Sequence, residues 1–246
     1  MHEVPAAAVA PLFAPERPGP LLHAHAVATG LGRCRADRER DPRTAVVELP
    51  GANAACRGEP LAVPGLRGLV EAPPEWVPAL REVAEVAVWD RIVLALPDGA
   101  LPEGAEPAVR RRVRRLTRGD VPGLATLHPS LAWISDTWGG PGGLAASGTA
   151  WVATDGDRPV SVACPFYVGV GHEDIGVVTD PAHRGRGLST ACAAAVVADI
   201  RGRGRRPSWT TSPGNAGSRA VAARLGFVPV RDDLLYAVGV PVPGPD

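Results

Sequence analysis

The segment that decides the fold is residues 174–200, DIGVVTDPAHRGRGLSTACAAAVVADI. Its apolar run at Ile175–Thr179 predicts a buried β-strand, which stops at the turn residues Asp180-Pro181. Apolar residues at helical spacing then predict a helix over Leu188–Arg201. A strand that leads through a tight turn into a helix is typical of α/β proteins.

The turn between this strand and this helix reads Arg184-Gly185-Arg186-Gly187. Glycines allow backbone N–H groups to point outward at a helix N-terminus, where the helix dipole attracts anions. The two arginines add positive charge. The turn therefore predicts a cradle for a phosphate or pyrophosphate, although an ordinary Arg/Gly turn can open a helix in the same way. A Walker loop is excluded because all 26 basic residues are arginine and none is lysine.

Composition sets the remaining bounds. The 246 residues are 45% hydrophobic and 21% charged, with a net charge of zero, which excludes wholesale disorder and gives no bulk attraction to nucleic acids or anionic membranes. We expect a soluble, cytoplasmic protein, because no signal peptide and no membrane-spanning stretch is evident. The four cysteines are widely separated and form no CxxC pair, so we expect reduced thiols and no metal site.

The chain divides at residues 97–109, PDGALPEGAEPAV, where proline, glycine and acidic residues interrupt every periodic pattern. We predict an N-terminal α/β domain over residues 1–105, of unassigned role and possibly a degenerate copy of the second, and a second domain over residues 106–240. The predicted upstream elements are a helix at Leu21–Val27, a strand at Thr44–Leu49, a helix at Trp76–Val83 and a strand at Arg91–Leu96. The predicted downstream elements are strands at Val113–Leu116, Thr149–Thr154, Val160–Tyr167, Ser208–Thr211 and on both sides of Arg231-Asp232-Asp233, with a helix at Pro213–Leu225.

Two motifs in the second domain resemble those of the GNAT superfamily of N-acetyltransferases. That family's signature is a strand, R/Q-x-x-G-x-G/A opening a helix, a second strand, then Asn, a helix and Gly-Phe. Here the first motif is Arg184 to Ser189, and the second runs from Asn215 to Gly226-Phe227. The resemblance covers about residues 113–238. It implies an α/β fold with a GNAT-type mixed central sheet flanked by helices, and an acetyl-CoA-dependent N-acetyltransferase that acts on a primary amine by direct attack.

The resemblance also assigns residues to the coenzyme. The pyrophosphate of acetyl-CoA would bind the backbone N–H groups of Arg184, Gly185, Arg186, Gly187, Leu188 and Ser189. The pantetheine arm would contact the backbone of Val177 and Thr179, and the N–H near Val178 would polarise the thioester carbonyl. The strand Trp209–Thr211 would splay away to open the slot. Asn215 matches a residue that often touches pantetheine, and it could equally be a helix N-cap.

Direct transfer to an amine needs a base. Glu173 lies eleven residues before Arg184, where the histone-type members carry their glutamate base, and it could otherwise be a surface charge at a strand end. Its neighbour Asp174 should face the opposite side, because side chains alternate along a strand. The family's tyrosine acid corresponds here to Ala222, which leaves open the group that protonates the departing thiolate.

The acceptor region is predicted at Trp133, Asp136 and Trp138, which precede a glycine-rich stretch and could receive an amine with an apolar body. Aromatic residues at this spacing could equally be core. The expected partner is a small-molecule or peptide amine, with no nucleic acid and no membrane. Two alternatives stay open: a non-catalytic acyl-CoA-binding regulatory module, and nucleic-acid binding through the arginine runs Arg110–Arg115 and Arg201–Arg206, which are better explained as solvated faces.

Overall fold

A computed structural model describes residues 1–100 and 106–244, so residues 101–105, inside the predicted interruption at 97–109, lie outside the described residues. The strands are β1 His2–Val4, β2 Arg33–Ala36, β3 Thr44–Leu49, β4 Asn53–Gly58, β5 Gly68–Glu71, β6 Val86–Ala95, β7 Val113–Arg115, β8 Trp151–Asp155, β9 Arg158–Val168, β10 His172–Thr179, β11 Arg206–Thr211 and β12 Val228–Val238. The α-helices are α1 Leu22–Thr29, α2 Val77–Arg81, α3 Pro107–Arg110, α4 Val121–Leu124, α5 Pro141–Ser147, α6 Leu188–Gly202 and α7 Ala216–Arg224. Short 3-10 helices occupy Ala6–Leu12, Pro74–Trp76, Arg118–Asp120, Pro129–Trp138 and Pro181–His183.

The strands form one mixed sheet in the order β1-β2-β3-β4-β5-β12-β6-β11-β10-β9-β8-β7. Neighbouring strands are antiparallel except in the pairs β4–β5 and β10–β11, which are parallel. The parallel pairs lie at corresponding places on the two sides of the central pair β12–β6. The two halves of the chain therefore repeat one strand arrangement about the middle of the sheet.

The two halves exchange their last strands. β6, from the first half, pairs with both β11 and β12 of the second half, while β12 pairs with β5 of the first half. Hydrogen bonds thus cross the boundary predicted after residue 105 in three strand pairs, and both halves contribute to one sheet. The division into domains 1–105 and 106–240 stays a prediction about the organisation of the chain.

Helices cover both faces of the sheet. On one face, α6 and α7 bury apolar residues such as Leu188, Val196 and Ile200 against Trp209 and Phe227. The 3-10 helix at Pro129–Trp138 and α5 pack in a separate cluster with the strands β8, β9 and β10. Each large side chain buried in this way contributes about 1.5–3 kcal/mol. The buried interior therefore holds β10 and α6 firmly on both sides of the turn at 184–187.

Some predicted elements differ in the structure. The polar triplet Arg231-Asp232-Asp233 does not separate two strands; it lies inside β12, where a register shift between Pro229 and Arg231 accommodates an extra residue. The helix predicted from Pro213 starts only at Ala216, because Asn215 caps it. Strands β1, β2, β4 and β5 were not predicted, since their sequences of three to six residues are too short to show a clear alternation of apolar and polar residues.

Candidate active site

A slot opens where β10 and β11 stop pairing. Their parallel register runs from His172 opposite Arg206 to Ile175 opposite Trp209 and then ends, although both strands continue. β11 stays paired with β6 on its other side to Thr211. The splayed strands predicted from the family resemblance are therefore present in the sheet.

The backbone of β10 presents alternate amides to this slot. The N–H of Asp180 donates to the oxygen of Val160 on β9, and hydrogen-bonded and non-hydrogen-bonded pairs alternate along an antiparallel ladder. Val178, two residues earlier, therefore faces β9 as well. The amides of Val177 and Thr179 point the other way, into the slot. The oxyanion role predicted for the Val178 N–H does not fit this orientation, whereas the pantetheine contacts predicted for Val177 and Thr179 do.

The glycine turn opens α6 directly beside the slot. Gly185 and Gly187 have φ values of +75° and +73°, a left-handed conformation that glycine adopts without strain. Gly187 is the N-cap of α6, and within the described chain no side chain hydrogen-bonds to the N–H groups of the first turn. The N-terminus of a fifteen-residue helix, with its positive dipole end, thus faces the slot together with Arg184 and Arg186.

Buried polar contacts hold this turn in place. Asp180 accepts hydrogen bonds from the Ala182 N–H at 3.0 Å and from Arg158 Nη2 at 2.7 Å. His183 lies within 3.2 Å of Asp155 and 3.4 Å of Asp180. These contacts hold the segment 180–183, between β10 and the glycine turn, against Asp155 of β8 and Arg158 of β9.

The slot and the turn belong to one cavity of about 1290 Å³. Predicted site residues that line it are Trp133, Asp136, Val177, Val178, Thr179, Arg184, Gly185, Arg186, Gly187, Ser189 and Asn215. The side chain of Leu188 is buried in the core, so this residue offers only its backbone at the helix start. Asn215 also accepts a hydrogen bond from the Ser218 N–H at 2.8 Å, so it lines the cavity and caps α7 at once.

Asp174 is the carboxylate of β10 that faces the cavity. Its Oδ1 accepts hydrogen bonds from the Ser208 hydroxyl at 2.7 Å and the Thr210 hydroxyl at 3.1 Å. Burial raises the pKa of this carboxyl to about 6, against the two hydrogen bonds, which lower it. A carboxyl with this pKa is ionised near neutral pH and still basic enough to accept a proton.

Glu173 is on the opposite side of β10, away from the cavity. Its carboxylate is fully buried and binds Arg203 at 2.5 Å and Arg205 at 2.6 Å, at the end of α6. The alternation expected between Glu173 and Asp174 is present, but the side that faces the slot is the reverse of the predicted one. The Glu173 carboxylate is thus enclosed by two guanidinium groups and does not line the cavity, which does not fit the base predicted there; the cavity-facing carboxyl of this strand is that of Asp174.

The predicted acceptor residues separate into two groups. Trp133 and Asp136 line the cavity, and burial raises the pKa of the Asp136 carboxyl. Trp138 is absent from the lining; its indole N–H donates to the Pro165 oxygen at 2.8 Å and its ring packs edge-on against His25. These contacts of Trp138 fit the alternative explanation of the aromatic pair, that its members pack in the core.

The first half of the chain also supplies part of the cavity lining. Its lining residues are Gly51, Asn53, Leu69, Trp89 and Arg91. Arg91 is buried and forms an ion pair with Asp233 of β12. Sequence reasoning missed these residues; the one available signal was a charged residue, Arg91, at the head of the apolar run RIVLAL.

Two general features of the described residues complete this description. No helix among them is long and apolar enough to cross a lipid bilayer. They also contain no group of three or more His, Cys, Asp or Glu side chains that could hold a metal ion.

Comparison with known proteins agrees with this geometry. A family model described as GNAT acetyltransferase matches residues 125–235. An uncharacterized N-acetyltransferase from the mutA 5′ region of Streptomyces virginiae is 42% identical over 206 residues, which cover 78% of this chain and 83% of that protein. The chain therefore belongs to the GNAT family of N-acetyltransferases.

Solved structures share the fold. A GCN5-related N-acetyltransferase-like protein from Streptococcus suis superposes with a TM-score of 0.67 at 17% identity, covering 86% of this chain and 90% of that one. A GCN5-related N-acetyltransferase from Kribbella flavida gives a TM-score of 0.53 at 17% identity, covering 80% and 88%. Because both likenesses extend over most of this chain, the first half is part of the shared architecture.

Proposed function

We propose that this acetyltransferase transfers an acetyl group from acetyl-CoA to a primary amine, with Asp174 as the base. GNAT enzymes in general use acetyl-CoA and act on small-molecule or peptide amines. The observation that carries the proposal is the continuity of the cavity. One space joins the glycine turn, the open amides of β10 and the buried carboxyl of Asp174.

The residues present fit the chemistry of acetyl-CoA. The free N–H groups at the start of α6 and the arginines 184 and 186 offer hydrogen bonds and positive charge to a pyrophosphate. The N–H of Thr179 and the carbonyl group of Val177, which face the slot, offer a strand edge to the amide-bearing pantetheine arm. Because Gly185 and Gly187 carry no side chain, the anion can approach the backbone closely.

The acceptor amine would reach the thioester from the Asp174 side. There the carboxylate takes the proton that the amine must lose, the new nitrogen–carbon bond forms, and the carbon–sulfur bond breaks with the electron pair leaving on sulfur. The N–H of Val177, which points into the slot, is placed to polarise the carbonyl oxygen. Ala222 is fully buried in the core, so no acid acts from that position, and a thiolate can leave without one.

The walls beyond Asp174 select the acceptor. The rings of Trp133 and Phe166 pack edge to face, with 5.4 Å between their centroids, and both residues line the cavity. Trp89 of β6 lines it as well. Asp136 adds a carboxylate near Gly51. These surfaces suit an amine that carries an apolar or aromatic body.

The test is acetylation itself. Purified protein is incubated with acetyl-CoA and a panel of small amines and short peptides, and acetylated products are identified by mass spectrometry. We expect turnover of at least one amine, strongly reduced by Asp174→Asn and unchanged by Asp157→Asn, a matched replacement in the exposed turn before β9.

The panel also addresses the alternative of a non-catalytic acyl-CoA-binding module. Binding of acetyl-CoA without turnover of any amine would support that alternative and contradict the proposed reaction. Equal turnover by wild type and Asp174→Asn would keep the reaction and remove Asp174 from it.

A further inference from the structure

A chain of hydrogen bonds runs from the N-terminal segment to the buried carboxyl of the active site. The N–H of Gly19 donates to Ser208 Oγ at 3.0 Å, and Ser208 Oγ donates to Asp174 Oδ1 at 2.7 Å. Ser208 is fully buried and does not line the cavity, so it cannot contact a substrate itself. Its connection to the reaction passes through Asp174.

The Gly19 N–H fixes the direction of the Ser208 proton. A hydroxyl has one proton to donate and two lone pairs that accept. Since a backbone N–H can only donate, Ser208 Oγ is the acceptor there and turns its own proton elsewhere. The Asp174 oxygen at 2.7 Å is much closer than the other candidate, the Glu173 carbonyl oxygen at 3.5 Å.

The two hydroxyl groups that hydrogen-bond to Asp174, those of Ser208 and Thr210, bind the same carboxylate oxygen. Thr210 Oγ1 also donates to Oδ1, at 3.1 Å, and Oδ2 receives no hydrogen bond from the described residues. The two hydrogen bonds to Oδ1 therefore fix the orientation of the carboxyl group and leave Oδ2 to accept a proton from a group in the cavity.

The segment that carries Gly19 is tied down at three points. The carboxylate of Glu16 accepts the N–H groups of Val170 and Gly171 at 2.7 and 2.8 Å, in the turn between β9 and β10. The Pro18 oxygen accepts a hydrogen bond from Arg231 at 2.9 Å. Gly19 has a φ of +116°, a backbone conformation that residues with a side chain rarely adopt, so glycine is favoured at the position that presents this amide.

We propose that Ser208 is a positioning residue for the acetyl transfer, which holds Oδ1 of Asp174 so that Oδ2 faces the acceptor amine, and that the Gly19 amide sets its orientation. The proposal rests on the proposed function, because it assigns Asp174 as the base. It also gives the N-terminal segment a role in the reaction of the second half.

Other charges face Asp174 from neighbouring elements. Arg91 on β6 and Arg231 on β12 favour its ionised form, and Asp233 on β12 opposes it, as does burial. Burial raises the pKa of the Tyr167 phenol, and the nearby Asp174 carboxylate raises it further. These groups stay in place when Ser208 is replaced, so a change in the titration of Asp174 would report the lost hydrogen bond.

The experiment is the pH profile of kcat/KM for Ser208→Ala. Loss of one hydrogen bond to the ionised carboxylate should raise the pKa of Asp174 and so move the rising limb of the profile to higher pH by about one pH unit. On the acidic side of the limb this shift is about a tenfold loss of kcat/KM. The matched control is Thr44→Val, which removes a buried hydroxyl bonded to the Glu59 oxygen at 2.6 Å, far from the cavity. A purely structural role would lower the curve for Ser208→Ala without shifting it, and that result would overturn the proposal.

A direct readout covers the case in which Ser208→Ala does not fold. Carbon NMR of the aspartate carboxyls should show one group that titrates near pH 6 in the wild type and is missing in Asp174→Asn. In Gly19→Ala, which displaces the amide, this titration should move upward; an unchanged titration would contradict the proposal. If Asp174→Asn is fully active, Asp174 is not the base and the role of Ser208 fails with that assignment, although the acetyl transfer itself is retained. If Asp174→Asn is inactive while the Ser208→Ala profile is unshifted, only the role of Ser208 fails.

Discussion

Replacement of Asp174 by asparagine is expected to slow the enzyme and to stabilise its fold. Burial raises the pKa of the Asp174 carboxyl from 3.8 to about 6, so the folded protein binds this proton more tightly than the unfolded chain does. Stability contributed by the protonated form is therefore lost as pH rises through the interval between these two values. At pH 7 the wild type bears the full cost of an ionised, buried carboxylate, whereas asparagine stays neutral.

The size of the effect follows from the shift. The pKa shift of about two units corresponds to about 3 kcal/mol of unfolding free energy at pH 7 and about half of that at pH 5, and the difference vanishes below about pH 3. These are upper values, because the asparagine must also satisfy the hydroxyls of Ser208 and Thr210. Because Asp174→Asn removes a positioned general base, it should also lower kcat about 10²–10⁴-fold at pH 7.

Urea denaturation of wild type and Asp174→Asn at pH 7 and pH 5, together with the rate of CoA release, measures both effects. We expect the variant to be more stable at pH 7, with a smaller advantage at pH 5, and to be nearly inactive at both. A variant that is less stable by the same amount at both pH values would refute the reasoning, because Asp174 would then be a structural hydrogen-bond acceptor and not a strained base.

Two further predictions separate structural from functional residues. Glu173→Gln should destabilise the fold by up to about 3 kcal/mol, because Arg203 and Arg205 lose their buried, charged partner, while kcat per folded molecule is retained. Urea denaturation and kcat measured on the folded fraction test this expectation. A lowered kcat would return Glu173 to the mechanism. Trp138→Phe should lower the free energy of unfolding by about 1 kcal/mol and leave the KM for the acceptor amine unchanged. Trp133→Ala should raise the KM for the acceptor about tenfold. Equal effects of the two variants on this KM would show that both indoles bind the acceptor.

The local features of the site were predictable because short-range patterns encode them. The glycine turn, the strand before it and the helix from Leu188 depend on neighbouring residues, and the structure has them where the sequence placed them. The choice between Glu173 and Asp174 was not local. Alternation shows only that they face opposite sides, and which side becomes the slot depends on α6 and its arginines covering the other one.

For a similar reason, the sequence pattern did not predict that the first half of the chain contributes residues to the cavity lining. β6 pairs with β11 and β12, which are far away along the chain, and nothing in the run RIVLAL specifies these partners. The lining by Asn53 and Trp89 follows from this strand exchange. Such long-range pairing is set by the fit of the whole sheet, which a single sequence does not display.

The most direct test of the account is calorimetric titration of acetyl-CoA into the wild type and two glycine variants. Gly187→Glu places bulk and negative charge in the proposed pyrophosphate cradle. Gly30→Glu is the matched control, with a similar left-handed φ of +69° and open space around it, at the exposed end of α1. We predict that wild type and Gly30→Glu bind acetyl-CoA alike and that Gly187→Glu does not bind it. Equal binding by all three, or none by the wild type, would contradict the claim that this turn holds the coenzyme.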